Sequence, residues 1–139
     1  MERIVVGVDG SEAGREALRW AINEARCRNA AVEAVYAWHQ PGLMSYGYLS
    51  QIDLEPFEED ARKVLDAAVE GLEVAGVTVE RKLLPGGAAN VLVEESKGAA
   101  LLVVGSRGRG GFSGLLLGSV SQQVAHHAPC PVVIIPPAA

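Results

Sequence analysis

The chain has 139 residues, a net charge of −5 and 49% hydrophobic residues, of which few are aromatic. We expect one domain over residues 1–139 with a core of Val, Leu, Ile and Ala, a composition typical of a parallel sheet covered by helices. No apolar run approaches the roughly 20 residues that span a bilayer, and no secretory signal pattern opens the chain. Cys27 and Cys130 lack metal-binding or redox spacing, so reduced thiols are expected. These features predict a cytoplasmic protein without a membrane partner.

The first part of the chain predicts two strands around one helix. Arg3 to Val8 is a β-branched run that ends at the turn Asp9-Gly10-Ser11. Both Asp9 and Ser11 are able to cap the following helix, which ends at Asn29. Its apolar residues recur at steps of three and four: Ala13, Ala17, Leu18, Ala21, Ile22 and Ala25. Val32 to Trp38 predicts the second strand.

A long connection from His39 to Asp53 precedes the second predicted helix. Pro56 suits the first helical position, and Gly76 is the predicted stop. The predicted buried face of this helix consists of Phe57, Ala61, Val64, Leu65, Ala68 and Leu72. A third strand follows from Val77 to Leu84, and after a break at Pro85-Gly86-Gly87 a short helix runs from Ala88 to Lys97.

The last third joins a strand to a helix through a glycine-rich connection. Ala99 to Val104 predicts a buried strand, Gln122 to Ala128 a helix, and Val132 to Ile135 a final strand. Five strands alternating with four helices predict an α/β domain with a doubly wound parallel sheet. Ligands of such sheets bind at the carboxyl ends of the strands, where the winding direction reverses. If the first and fourth strands are neighbours, Asp9 and the glycine-rich connection face one crevice.

This glycine-rich connection is typical of an anion site. Glycines let the backbone turn its N–H groups toward a common point, and the helix that follows adds free N–H groups and the positive end of its dipole. Residues 96–139 contain no Asp or Glu but carry Lys97, Arg107 and Arg109, so this segment has a charge of +3 and residues 1–95 have −8. A positive connection in an acidic chain favours a small phosphate-bearing ligand over a nucleic acid.

The spacing Gly105-x2-Gly108-x9-Gly118-Ser119 resembles the nucleotide-binding signature of the universal stress protein family, in its ATP-binding branch. The resemblance covers the whole chain, from Ile4-Val5-Val6-Gly7-Val8-Asp9-Gly10-Ser11 to Cys130-Pro131-Val132-Val133-Ile134-Ile135-Pro136. It implies a sheet in the order 3-2-1-4-5, ATP with Mg as ligands, and a homodimer through the last strand, Val132 to Ile135. The residues expected to bind the nucleotide are Gly7, Asp9, Ala37, Gly105, Ser106, Arg107, Gly108, Arg109, Gly118, Ser119, Val120 and Ser121.

The glycines and serines of the signature have distinct expected roles. Gly105 and Gly108 bring the backbone close to the triphosphate, and Gly118 opens the fourth helix without a side chain. Ser119 and Ser121 offer hydroxyl donors to phosphate oxygens, although Ser119 also suits an N-cap.

The other expected site residues each have an ordinary alternative. Arg107 and Arg109 either bind phosphate or are solvated. Asp9 accepts from a ribose hydroxyl, or holds a magnesium ion bound to the phosphates, or caps the first helix. Ala37 and Gly7 are placed near adenine by the resemblance alone.

Three functions are open at this point: an ATP-binding regulatory protein, a weak ATPase or phosphotransferase, and a dimeric interaction protein that binds no nucleotide. The signature contains no carboxylate to act as a base, and His126 and His127 are predicted at the far end of their helix, which disfavours the enzyme. The intact glycine spacing disfavours the third function. Neither Gly-x4-Gly-Lys-[ST] nor Gly-x-Ser-x-Gly occurs, which excludes Walker-type ATPases and argues against an α/β hydrolase.

Overall fold

The computed structural model describes residues 1–38, 55–107 and 117–137, and within them strands and helices alternate. Their bounds are β1 Arg3–Val8, α1 Glu12–Arg28, β2 Ala31–Trp38, α2 Glu55–Val69, β3 Val79–Pro85, α3 Ala88–Glu95, β4 Leu101–Gly105, α4 Ser119–His127 and β5 Val132–Ile135. The predicted α/β alternation is confirmed, and the connection His39 to Asp53 lies outside the described residues. None of the helices in these three stretches is long and apolar enough to cross a membrane.

The described strands form one five-stranded parallel sheet in the order β3-β2-β1-β4-β5. β1 is central, because Val5 is level with Glu33 of β2 on one side and with Leu102 of β4 on the other. The chain first winds outward from β1 to β3 and then crosses back to β4 and β5. The winding direction therefore reverses between β1 and β4, which confirms the expected strand order.

Side chains of the central strands alternate between two apolar layers. Ile4 and Val6 of β1 pack into the layer beneath α1 and α2, whereas Val5 packs into the layer beneath α3 and α4. The helices contribute buried side chains such as Leu18 to the first layer and Leu92 to the second. Burying one such side chain stabilises the fold by about 1.5–3 kcal/mol. Both faces of the sheet are covered, which explains the continuous apolar runs of its central strands.

Gly7 marks a close approach of α3 to the sheet. A Cβ at this position would lie 2.6 Å from Leu92 Cδ1 and 3.4 Å from Val104 Cγ1. A larger residue would therefore force the Leu92 side chain to move. The structure thus gives Gly7 a packing role inside β1.

The end of α2 differs from the prediction. The helix ends at Val69, and Gly71 follows with a left-handed φ of 81°, so the stop predicted at Gly76 is wrong. Gly76, with φ of 80°, belongs to a separate turn in which Val77 N donates to Val74 O at 2.9 Å. Both Gly71 and Gly76 suit a helix stop, and only the chain path beyond Val69 distinguishes them.

Hydrogen bonds from α1 fix the path of the chain between α2 and β3. Arg26 donates to the carbonyls of Glu73 at 3.1 Å and Ala75 at 3.2 Å, and β3 begins only at Val79, two residues later than predicted. The predicted buried face of α2 also begins later, because Phe57 is 44% exposed. These differences between the predicted and observed bounds of α2 and β3 arise from contacts between distant segments, so they cannot be predicted from the local sequence pattern.

A partly buried charge network fastens the end of α3 to the sheet. Glu33, 8% exposed, accepts from Arg3 Nη1 at 3.1 Å and lies 3.4 Å from Lys82 Nζ, which is also 3.2 Å from Glu95 Oε2. Arg3 Nη1 also donates to Glu95 O at 2.8 Å, and the helix ends there rather than at Lys97. Desolvation lowers the pKa of Lys82, but the hydrogen bonds to Glu95 and Glu33 and their charges outweigh it, and the pKa is raised.

Candidate functional site

The carboxyl ends of β1 and β4 lie side by side where the winding direction reverses. Val6 of β1 is level with Val103 of β4, so both strands leave the sheet at the same edge. A Cβ on Gly105 would lie 3.0 Å from Ala13 Cβ and 3.1 Å from Ala13 O. Gly105 therefore lets the first turn of α1 pack directly on the end of β4. The turn after β1 and the end of β4 thus lie at the same edge of the sheet, and the crevice expected there from the sequence stays a prediction.

Ser106 joins the two ends of the connection between β4 and α4. Its N donates to Ile135 O at 2.8 Å, which ties it to the end of β5. Its carbonyl accepts from Gly118 N at 2.6 Å, which brings the start of α4 back to the end of β4. The two ends of the glycine-rich connection are therefore joined at the edge of the sheet.

The start of α4 offers backbone N–H donors beside Ser106. Gly118 is the N-cap, with φ −78° and ψ 175°, and it makes no side-chain capping bond. The amides of Ser119, Val120 and Ser121 lack intrahelical acceptors because they belong to the first turn. The first turn also contains no acidic side chain, so it presents free N–H groups and a positive dipole end. Ser119 is the first helical residue, and the N-cap role considered for it belongs to Gly118.

The Ser121 side chain points toward Ser106 and Gly118 rather than toward solvent. It is 2% exposed, and its Oγ lies 2.8 Å from Ser106 O and 3.0 Å from Gly118 O. A hydroxyl has one hydrogen to donate. In this arrangement that hydrogen joins the start of α4 to the end of β4, and the hydroxyl donation to phosphate expected from the sequence stays a prediction.

Asp9 stabilises the turn into α1. Its Oδ1 accepts from Ser11 N at 2.9 Å and from Ser11 Oγ, and Ser11 Oγ accepts from Gly14 N at 3.1 Å. Ser11 is the N-cap of α1, so Asp9 acts through the N-cap residue. These bonds hold the half-buried carboxylate at the carboxyl edge of β1. Among the described residues, no three His, Cys, Asp or Glu side chains are grouped to hold a metal.

The remaining predicted residues lie in several places. Ala37 is near the end of β2, paired with Leu84 of β3, and the register of β1 with β2 puts it at the same edge as Asp9. Gly7 lies inside β1 beneath Leu92. Arg107 is partly buried and directly follows Ser106. Gly108 and Arg109 lie outside the described residues, so their phosphate contacts stay predictions.

Two residues that position the site carry no signal of that role in the sequence. Ala13 supports Gly105, and Ile135 accepts from Ser106 N. Ala13 is one of several alanines on the apolar face of α1, and Ile135 is one of four apolar residues in β5. Only the order of the strands brings either of them to this edge.

The Universal stress protein family, as a sequence model, matches residues 1–136. A universal stress protein of Mycobacterium tuberculosis is 38% identical over an alignment of 143 positions, which covers 95% of this chain and 46% of that protein. The chain therefore spans about half the length of this relative.

Two solved structures share the fold over nearly the whole chain. The universal stress protein of Archaeoglobus fulgidus in complex with dAMP is 27% identical, with a TM-score of 0.71 over 97% of this chain and 98% of that one. A universal stress protein in complex with cAMP is 27% identical, with a TM-score of 0.66 over 99% of this chain and 98% of that one.

Proposed function

The chain belongs to the universal stress protein family, and on that premise we propose that it binds an adenine nucleotide at the shared edge of β1 and β4 as a nucleotide-dependent regulator of the stress response. The observation that carries the proposal is the uncapped start of α4, held against the end of β4 by the bond from Gly118 N to Ser106 O. The two relatives solved with dAMP and cAMP support adenine nucleotides as the ligand class.

In this proposal the phosphates occupy the start of α4. The amides of residues 119–121 donate to phosphate oxygens, and the dipole of α4 favours the negative charge. Arg107 lies next to Ser106 and adds positive charge, and residues 96–139 contain no Asp or Glu. Gly105 and Gly108 let the backbone approach the ligand.

The nucleoside lies toward β1 and β2. The bonds from Ser11 hold Asp9 at the edge, where its carboxylate accepts from a ribose hydroxyl. Ala37, one strand further, borders the adenine ring. Gly7 is a less suitable contact, because its missing side chain makes room for Leu92.

ATP with Mg is the specific ligand that we propose. The triphosphate oxygens supply hard oxygen ligands that suit Mg²⁺, and Asp9 follows β1, the strand beside β4, so its carboxylate is the candidate protein ligand at this edge. AMP is the simplest alternative, since it has the same base and ribose with a single phosphate.

We propose binding without efficient turnover. A general base must come within about 3 Å of the water that it activates. His126 and His127 lie in the last turn of α4, about 10 Å from Ser119 at about 1.5 Å per residue along the helix axis. An assay for ADP formation with protein and ATP at equal concentration distinguishes binding alone from weak ATPase or phosphotransferase activity.

Thermal-shift titration with AMP, ATP and ATP plus Mg tests the proposal. A ligand at one hundred times its Kd stabilises the folded state by about 2.7 kcal/mol, so the melting temperature is expected to rise. Gly118→Val places a branched side chain beside the free amides at backbone angles that valine adopts, and it is expected to abolish the shift.

Gly87→Val is the matched control for this substitution. Gly87 is also an N-cap with extended angles, φ −72° and ψ 137°, and an added Cβ there meets nothing within 4 Å. It is expected to keep the nucleotide shift. Failure of AMP and ATP to raise the melting temperature of the wild-type protein refutes the proposal.

We further propose a homodimer through β5 in a cytoplasmic protein. β5 is at one edge of the described sheet, and its four apolar residues are partly exposed. An uncovered edge of this kind pairs readily with another strand. Light scattering is expected to give twice the chain mass at micromolar concentration, and a monomer contradicts the dimer. The cytoplasmic location is supported by Cys27 and Cys130, which are unpaired thiols.

A further inference from the structure

A groove on the protein surface separates the exposed sides of α3 and α4. Its volume is about 170 Å³. The residues that line it are Ala89, Asn90, Val93 and Glu94 of α3 and Gln123 and His127 of α4. Packed elements usually interdigitate and leave few voids larger than a water molecule. The α3–α4 groove therefore leaves space for a further group between the two helices.

The polar side chains of the α3–α4 groove form two pairs, one on each helix. Asn90 and Glu94 lie one turn apart on α3, and Gln123 and His127 lie one turn apart on α4. All four residues are exposed. Within the part of the chain that the structure describes, no hydrogen bond or ion pair joins one pair to the other. The two helices therefore do not use these polar groups to hold each other.

These side chains favour a ligand that carries positive charge and donates hydrogen bonds. The carboxylate of Glu94 only accepts, and the amides of Asn90 and Gln123 each have an accepting oxygen. A guanidinium group has five N–H donors, no acceptor and a permanent positive charge. An anion would instead be repelled by Glu94, and the net charge of −5 on the whole chain also favours a cation.

The floor and the size of the α3–α4 groove suit the end of one arginine side chain. Ala89 and Val93 are apolar and half-buried, and the methylene stem of an arginine packs along such a surface. A water molecule takes about 30 Å³ in the liquid, so the groove has room for about five or six groups of that size. Pockets for whole small molecules are larger, about 300–1,000 Å³. One side chain of a larger partner therefore fits better than a metabolite.

We propose that the α3–α4 groove is a docking site for an arginine side chain of a partner protein. The guanidinium group donates to Glu94 and to the amide oxygens of Asn90 and Gln123, and its stem lies on Val93. Lys97 Nζ, 2.9 Å from Glu94 Oε2, is the cation with which the arginine competes, and exposed ion pairs of this kind are weak. The proposal does not depend on nucleotide binding, because the groove lies between helices and not at the carboxyl edge of the sheet.

NMR titration of the isotopically labelled protein with acetyl-arginine methylamide tests the proposal. The backbone amide signals of α3 and α4 are expected to shift and saturate, with a Kd on the order of 1 mM for a ligand of this size. Acetyl-lysine methylamide has a compact ammonium with three donors, so it is expected to bind more weakly. Absence of saturable shifts in these two helices overturns the proposal, and equal affinity for the lysine compound overturns the assignment to arginine.

Two pairs of substitutions distinguish docking from general attraction. Gln123→Ala is expected to weaken binding about two- to tenfold, the loss typical of one hydrogen bond. Gln122→Ala is its matched control, because the Gln122 side chain donates to Leu117 O and does not line the groove. Glu94→Gln is expected to weaken binding by about tenfold. Glu59→Gln removes the same charge from an exposed position of α2, on the other face of the sheet, and is expected to have little effect. Equal losses within either pair overturn the proposal.

Two further comparisons complete the test. Lys97→Gln removes the competing cation, so it is expected to bind the arginine compound more tightly than wild type, and weaker binding contradicts the proposal. Free arginine distinguishes a partner's side chain from the amino acid itself, because it adds an α-ammonium and a carboxylate. The blocked compound is expected to bind at least as tightly, and a clear preference for free arginine overturns docking of a protein partner. All variants are expected to melt like the wild type, since they alter exposed side chains.

Discussion

Gly7 is the position where a nucleotide contact and a packing contact predict opposite results. In Gly7→Ala the new Cβ would lie 2.6 Å from Leu92 Cδ1 and 3.2 Å from Leu92 Cδ2. Carbon atoms in favourable contact are about 3.5–4.0 Å apart, so Leu92 must move. Leu92 is buried, and Arg3 holds the end of its helix through Glu95 O. We therefore expect the substitution to lower the free energy of unfolding by about 1–3 kcal/mol through overpacking.

The contact between Gly7 and Leu92 also predicts the outcome of substituting both residues. Leu92→Ala alone is expected to cost about 2–5 kcal/mol, since it leaves a cavity in the layer beneath α3 and α4. In that background the Cβ of Gly7→Ala enters the vacated space, so it is expected to cost little or to stabilise. The interaction free energy of the two substitutions is then about 1–3 kcal/mol in the favourable direction.

Urea unfolding of the four proteins measures this cycle. With an m value of about 2 kcal/mol per M, a loss of about 2 kcal/mol lowers the midpoint by about 1 M. AMP titration of folded Gly7→Ala is expected to match the wild type. Additive costs in the cycle refute the packing account, and so does a Gly7→Ala protein that unfolds like the wild type but no longer binds AMP.

Three further predictions follow from individual contacts. Ser11→Ala removes the acceptor of Gly14 N and the partner of Asp9, so it is expected to lower the free energy of unfolding by about 0.5–2 kcal/mol and to weaken AMP binding; unchanged urea midpoint and AMP affinity contradict this. Gly105→Ala puts a Cβ 3.0 Å from Ala13 Cβ and 3.1 Å from its carbonyl oxygen, and it is expected to cost about 1–3 kcal/mol in urea unfolding and to weaken AMP binding by displacing the first turn of α1. Lys82→Met is expected to be less stable than wild type at neutral pH, and the difference is expected to shrink as the pH rises above the ordinary value of 10.5. The sign follows because a lysine whose pKa is raised on folding stabilises the fold only while it is protonated; a difference in unfolding free energy that stays constant through this pH range contradicts the role assigned to Lys82.

The helix boundaries illustrate how far local patterns reach. Asn29 ends α1 as predicted, and Ser11, one of the two capping residues considered, is its N-cap, because a capping hydroxyl and a left-handed residue act within one turn of the helix. The stop of α2 is at Gly71 instead of Gly76, since both glycines suit a stop and Arg26 directs the chain between them. Local chemistry thus identifies the candidate residues for a helix end, and where two candidates suit the same end only the structure distinguishes them.

The site shows the same division. The spacing of Gly105, Gly108 and Gly118 predicts an anion at the start of α4, and this requires only a strand, a glycine-rich connection and a helix in sequence. The buried hydroxyl of Ser106, which has no partner among the described residues, and the inward bond of Ser121 are not predictable in this way, because each depends on contacts between distant parts of the chain.

The amino-acid sequence by itself determined the alternation of strands and helices, the parallel doubly wound class and the position of the glycine signature. These features depend on hydrophobic period, capping residues and turn residues, all of which act over a few neighbours. Only the tertiary structure decided that Gly105 rests on Ala13, that Ser106 is tied to Ile135 and that Gly7 makes room for Leu92. Those contacts join residues that are far apart in the chain, and they exist because the sheet order places β1 beside β4 and packs a helix layer on each face.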